Sequence, residues 1–230
     1  MTARSFTLAD PASLDDLQTF LARAQRVEDG SVRLIGGSGV LAVYAAVLYP
    51  VGLLDETPTV LGLRTFALTS SGAFDAVVPI RSLLLRVERA QQLAVAAIER
   101  AEEEPATVGL PMEVHTATWA AISPPRGGWR AVPGPDGSTL ENVAREGIAE
   151  VAEAVPDGLG ESLVRRVRGE VWGREIPGAE HIPAGAGFAA VSLGFLGDDA
   201  VSTYETGPWT RLTTRRGHVL VKRRAWTLSR

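Results

Sequence analysis

Glu113 and His115 stand one residue apart in EVHTATWAAI, Glu113 to Ile122. In a strand that spacing puts both side chains on one face, where a carboxylate and an imidazole can serve as a general acid and base. The same spacing suits a solvated or hydrogen-bonded pair, because purely structural pairs also perturb each other's titration. Downstream, SPPRGGW, Ser123 to Trp129, offers Arg126 as an anion anchor on a stiff loop, with Trp119 and Trp129 as aromatic walls for a small ligand. All five tryptophans lie in the second half of the chain, where they serve equally well as the aromatic payload of a core. His181 sits in the Pro- and Gly-rich IPGAEHIPAGAG, and His218 belongs to a basic C-terminal segment.

The missing residue types narrow the chemistry. Cysteine is absent, which excludes thiolate metal sites, iron–sulfur clusters and cysteine nucleophiles, and fits a reducing compartment. The only lysine is Lys222, too late in the chain for a phosphate-binding Walker loop. Gly36-Gly37-Ser38-Gly39-Val40 lacks the last glycine of a hydrolase nucleophile elbow. No two histidines have metal-ligand spacing, so neither a metal nor a cofactor is expected.

Leu34 to Leu54, LIGGSGVLAVYAAVLYPVGLL, carries no charge over twenty-one residues. Its glycines and Pro50 leave too short an apolar core for a membrane span. Gly37-Ser-Gly39-Val-Leu-Ala42 matches the glycine pattern of a dinucleotide site, which needs a helix after Gly39. VLAVYAAVLY is rich in Val and Tyr and has no polar face, as suits a buried strand. The stretch is therefore expected to be two strands of a meander joined by the GGSG turn.

The elements that must position these residues follow from periodicity. Strand Ser5 to Leu8 leads to Asp10-Pro11, a cap and helix start, and Leu14, Leu17, Leu21 and Ala24 recur at helical spacing up to Asp29-Gly30. Strands Ser31–Ile35, Val40–Tyr49, Thr59–Leu68 and Ala73–Val78 follow, then an amphipathic helix from Ile80 to Glu103. The acidic, proline-broken EEEPATVGLP suggests a boundary, giving domains 1–104 and 105–230 that can also pack as one unit. Beyond it, EVHTATWAAI and WRAV are expected to pair as strands. Ser138 and Glu141 read as a capping box, opening a helix to Val155. Further helices are expected at Glu161–Trp172, burying Leu163, Val164, Val167 and Val171, and at Ala184–Leu196, with Phe188, Val191 and Phe195 inward. The chain closes on a hairpin turning at Arg215-Arg216-Gly217. The fold class is α+β, with a mainly antiparallel sheet and packed helices in the N-terminal half and a helical segment plus β-hairpin in the C-terminal half.

Charge is unevenly placed, with seven bases and no acid after Glu205, against 16 bases and 27 acids in residues 1–205. Three helices followed by a basic hairpin resemble a winged helix in outline, with Arg211, Arg215, Arg216, Lys222, Arg223 and Arg224, helped by Arg165, Arg166 and Arg168, as phosphate contacts. The third helix offers no polar residue beyond Ser192 to read bases, so such binding would be sequence-blind. We therefore expect first a non-catalytic interaction or small-ligand-binding protein, then a charge-driven nucleic-acid binder, and third an enzyme using Glu113 and His115. A cytoplasmic homodimer from a GC-rich bacterium, without a membrane partner, fits the arginine excess and the opposed charges, with Trp209 and Trp226 as interface contacts.

Overall fold

A computed structural model of the chain describes residues 4–52, 55–70, 72–100, 105–155 and 160–222. The chain forms two compact units, one of residues 1–45 and 63–120 and one of residues 46–62 and 121–230.

The first unit opens with β1 (Ser5–Leu8) and α1 (Ser13–Val27). Leu14, Leu17, Phe20, Leu21, Ala24 and Val27 form the buried stripe of α1. Asp10 does not cap the helix itself. Its carboxylate accepts a hydrogen bond from the Ala12 amide in the turn before α1, and Ala12 occupies the cap position without a side-chain bond. Next come β2 (Ser31–Gly37), β3 (Val40–Leu48), β4 (Thr59–Ser70) and β5 (Phe74–Pro79). Strand β2 pairs antiparallel with both β3 and β5. Its burial alternates residue by residue, with Val32 and Leu34 facing the core. Ser38 and Gly39 both have positive φ, 51° and 76°, the backbone that a tight two-residue hairpin requires, so the uncharged stretch opens as a core hairpin. A strand follows Gly39 where a dinucleotide site would need a helix.

Helix α2 (Ile80–Glu99) packs on α1, and the expected continuation through residues 101–103 lies outside the described residues. β6 (Thr107–Gly109) returns to pair with β1. The expected strand over Glu113–Ile122 is absent. Val114 donates one backbone hydrogen bond to Val77, and residues 118–121 wind into a 3-10 turn that buries Trp119. Burying that indole anchors the segment without ladder pairing.

The second unit contains β7 (Arg130–Val132), α3 (Gly137–Ala154), α4 (Glu161–Gly173), β8 (Glu175–Ile176), β9 (Ala179–Pro183), α5 (Gly185–Ser192), β10 (Ser202–Thr206), β11 (Trp209–Thr214) and β12 (Gly217–Lys222). β7 pairs with β10, not with 113–122, and β10, β11 and β12 follow as an antiparallel meander. Asp136, two residues ahead of the expected cap Ser138, caps α3 by accepting from the Thr139 amide and from the Ser138 hydroxyl. The Pro- and Gly-rich segment around His181 is a short hairpin, β8 with β9. Helix α5 is made of small residues and is buried, with Gly185, Ala186, Gly187, Ala189 and Ala190 enclosed against α3. Phe188 stacks on Trp172, their ring centres 4.3 Å apart. Leu163 and Val191, both expected inward, are exposed, because Val171 and Trp172 supply the buried end of α4 and Phe195 enters the core from beyond α5. The α+β class and the antiparallel sheet therefore hold, while the winged-helix outline does not. Its third helix is a core helix, and its hairpin is two strands of a larger sheet.

Candidate functional site

In the second unit, β7, β10 and β11 lie side by side, and their register brings three sequence-distant residues together. Tyr204 pairs across from Arg211 on one side and from Ala131 on the other, so Trp129, just before β7, reaches the same patch. The Arg211 guanidinium carbon lies 4.5 Å from the Trp129 ring centre and 4.8 Å from that of Tyr204, well within cation–π range. Trp129 is held in place by its indole N–H, which donates to the Pro125 carbonyl at 3.1 Å. Arg211 is half-buried, and its Nε is buried without a hydrogen-bond partner among the described residues. Burial pulls its pKa below the ordinary guanidinium value.

Around this patch, Glu205 sits 3.7 Å from Arg130 and 3.5 Å from His181 Nε2. His218 Nδ1 lies 3.0 Å from the Thr213 hydroxyl, and burial followed by the charge of Arg211 lowers the His218 pKa.

A second feature of this unit is a groove of about 530 Å³ between Asp55–Thr57 and α4, lined by Asp55, Glu56, Thr57, Ser162, Arg165, Arg166, Gly169 and Glu170. Burial raises the Asp55 pKa, but hydrogen bonds from Thr57 and Val51, with the Arg165 charge beyond, bring it out below the ordinary value. Arg165 is paired with Glu161 at 2.9 Å. Both signs of charge line the groove, so it does not form a continuous basic face.

The remaining sequence candidates are spread out. Glu113 is engaged by Arg4 at 2.7 Å and His115 is exposed, with no strand to put them on a common face. Trp119 is buried in the first unit, while Arg126 is exposed in the second, three residues from Trp129. At the hairpin tip, the Arg215 amide bonds to Asp199 and the Arg216 guanidinium donates to the Leu196 carbonyl and lies against Gly197. Lys222 is half-buried, and Arg223, Arg224 and Trp226 lie outside the described residues. Among the described residues no cluster of three or more His, Asp or Glu could hold a metal, and no helix is long and apolar enough to cross a membrane.

Sequence reasoning missed Tyr204, Glu205 and Arg130. The signal was present in STYETGPWTRLTT, where Gly207-Pro208 marks a turn between two alternating runs and places Tyr204 opposite Arg211.

Residues 1–118 match the family model described as Domain of unknown function (DUF8010). The chain belongs to that family. Residues 124–226 match a second model, Domain of unknown function (DUF8185). No curated protein matches this DUF8010 chain. Among solved structures, it resembles the DNA polymerase III subunit beta of Borrelia burgdorferi at 8% identity and a TM-score of 0.51, over 94% of this chain and 64% of that one. The DNA polymerase sliding clamp of Caulobacter crescentus aligns at 11% identity and a TM-score of 0.49, over 98% of this chain and 66% of that one. A sliding clamp of Bartonella birtlesii aligns at 13% identity and 0.48, over 98% and 66%. The DUF8010 chain therefore has a clamp-like fold and spans about two thirds of the length of these clamps.

Proposed function

We propose that this protein is a non-catalytic interaction scaffold that works as a homodimer in the bacterial cytoplasm. The observation that carries this reading is the whole-chain likeness to a polymerase clamp subunit, at a TM-score of 0.51 over 94% of the chain. The fate of the acid/base candidates agrees with it, since Glu113 is committed to Arg4 and His115 is exposed. Contact surface for a second copy is supplied by exposed apolar residues of α2, with Leu85 67%, Leu93 45% and Val95 58% accessible. Trp209 is 3% exposed and belongs to the core of its own unit, so it is replaced by these residues as the interface contact.

Light scattering across micromolar concentrations, at low and high salt, tests the reading. The expected mass is twice the 24.4 kDa of the chain, and Leu85→Glu is expected to return it to monomer. A wild-type monomer throughout overturns the dimer. Duplex DNA is the competing partner. Binding through the hairpin arginines would weaken as salt rises, and Arg215→Ala/Arg216→Ala would make log affinity less steep against log salt by about 0.9 for each phosphate no longer neutralised. DNA-dependent assembly would then replace self-association as the function.

A further inference from the structure

Arg211 combines three properties that together call for a ligand. Its guanidinium lies over the rings of Trp129 and Tyr204. Its Nε is buried with no acceptor among the described residues. Its charge has no carboxylate partner there, although other arginines of the second unit do: Arg130 has Glu205, and on α4 Arg165 has Glu161. A guanidinium carries five donors in a fixed fork, and leaving a half-buried one unsatisfied is costly. The rings hold the side chain in place but accept no N–H bond in the plane of the fork. An oxyanion arriving at the part of the guanidinium that this half-buried side chain still exposes supplies acceptors there and the missing charge.

We propose that Arg211, walled by Trp129 and Tyr204, is a binding site for the carboxylate group of a ligand. Charge favours a carboxylate over a phosphate. Arg130 is engaged by Glu205, and burial beside Arg211 keeps His218 neutral near pH 7, so the patch presents one uncompensated positive charge. A carboxylate balances that charge and matches the fork with two parallel bonds, whereas a phosphate dianion overfills it. The site deepens the scaffold reading and rests on it only for the origin of the carboxylate on a partner. A failed dimer test would leave anion binding intact, and the reverse also holds.

The test follows the Arg211 Nε–Hε signal of the full chain by NMR during titration with sodium acetate, with inorganic phosphate, and with an end-blocked aspartate tetrapeptide, each at constant ionic strength. The expected result is a saturable shift with acetate, bound more tightly than phosphate. In Arg211→Lys, acetate is expected no longer to shift the Trp129 indole N–H signal, which reports the same patch in wild type, while the rest of the spectrum stays in place. Should that variant unfold, Trp129→Leu is expected to weaken acetate binding roughly threefold, the scale of one cation–π contact. Tighter binding of the peptide assigns the carboxylate to a protein partner, equal binding assigns it to a small acid, and both uphold the site. An unmoved Arg211 signal, tighter phosphate, or unchanged binding in Arg211→Lys overturns it.

Discussion

His218 shows how one side chain ties the site to stability. Burial, then the charge of Arg211, holds its imidazole below the ordinary value of 6.5. The folded state therefore refuses a proton that the unfolded chain accepts, so its contribution is present above pH 6.5 and is lost as pH falls through the folded value. The urea midpoint is expected to decline as pH drops from about 7.5 to about 5.5, and His218→Gln is expected to flatten that decline. Several carboxylates act at lower pH. The Arg81 guanidinium holds Asp29 down, the Thr139 amide holds Asp136 down and Arg174 holds Glu150 down, from ordinary values of 3.8, 3.8 and 4.5. Their stabilisation is lost only as pH falls below those values, so the two windows separate in a pH series of urea melts. A midpoint flat across the upper window in wild type would show that His218 carries no such linkage.

Helix α5 is the element on which the second unit closes. It has no polar face, and its glycines and alanines let α3 approach so closely that a Cβ on Gly187 would meet the Leu140 carbonyl oxygen at 2.7 Å. That oxygen is backbone, so α3 itself would have to move. Gly187→Ala is expected to destabilise the protein by about 1–3 kcal/mol, read as a lower urea midpoint at unchanged slope. Gly147 on α3 makes the same kind of contact with the Trp172 ring, so Gly147→Ala is expected to disturb the Trp172–Phe188 stack as well. Near-ultraviolet circular dichroism separates the two, with the aromatic signal changed in the Gly147 variant and kept in the Gly187 variant.

At the scale of the molecule, the two units are not two consecutive pieces of chain. Residues 46–62 belong to the second unit although they lie in the first third of the sequence. They bring buried Val47, Leu48, Val60 and Leu61, and Gly62 fits against Leu193. A fragment of residues 121–230 lacks this segment and leaves its core contacts open, so it is expected to lose the cooperative thermal transition of the full chain. Residues 1–120 retain every residue of the first unit and are expected to keep a cooperative transition. Circular dichroism melts of both fragments check this, and a cooperative 121–230 fragment would show that the inserted strands are dispensable.

Local physics made much of this protein legible from its sequence. The β2–β3 hairpin follows from alternation and from glycine at a positive-φ turn, while α1 and α2 follow from apolar spacing, because each depends on neighbours a few residues away. The hairpin tip at Arg215–Arg216 was legible for the same reason. The partner of β7 was not, since WRAV can pair with any open strand edge and only the packed fold chose β10. The site shared that fate. Arg211 stood out as a base in a basic tail, but its place over Trp129 and Tyr204 depends on two strand registers spanning about eighty residues of chain. Tertiary structure alone turned a phosphate-contact candidate into a half-buried cation without a counter-charge among its described neighbours, because burial and the absence of a partner are properties of the assembled fold.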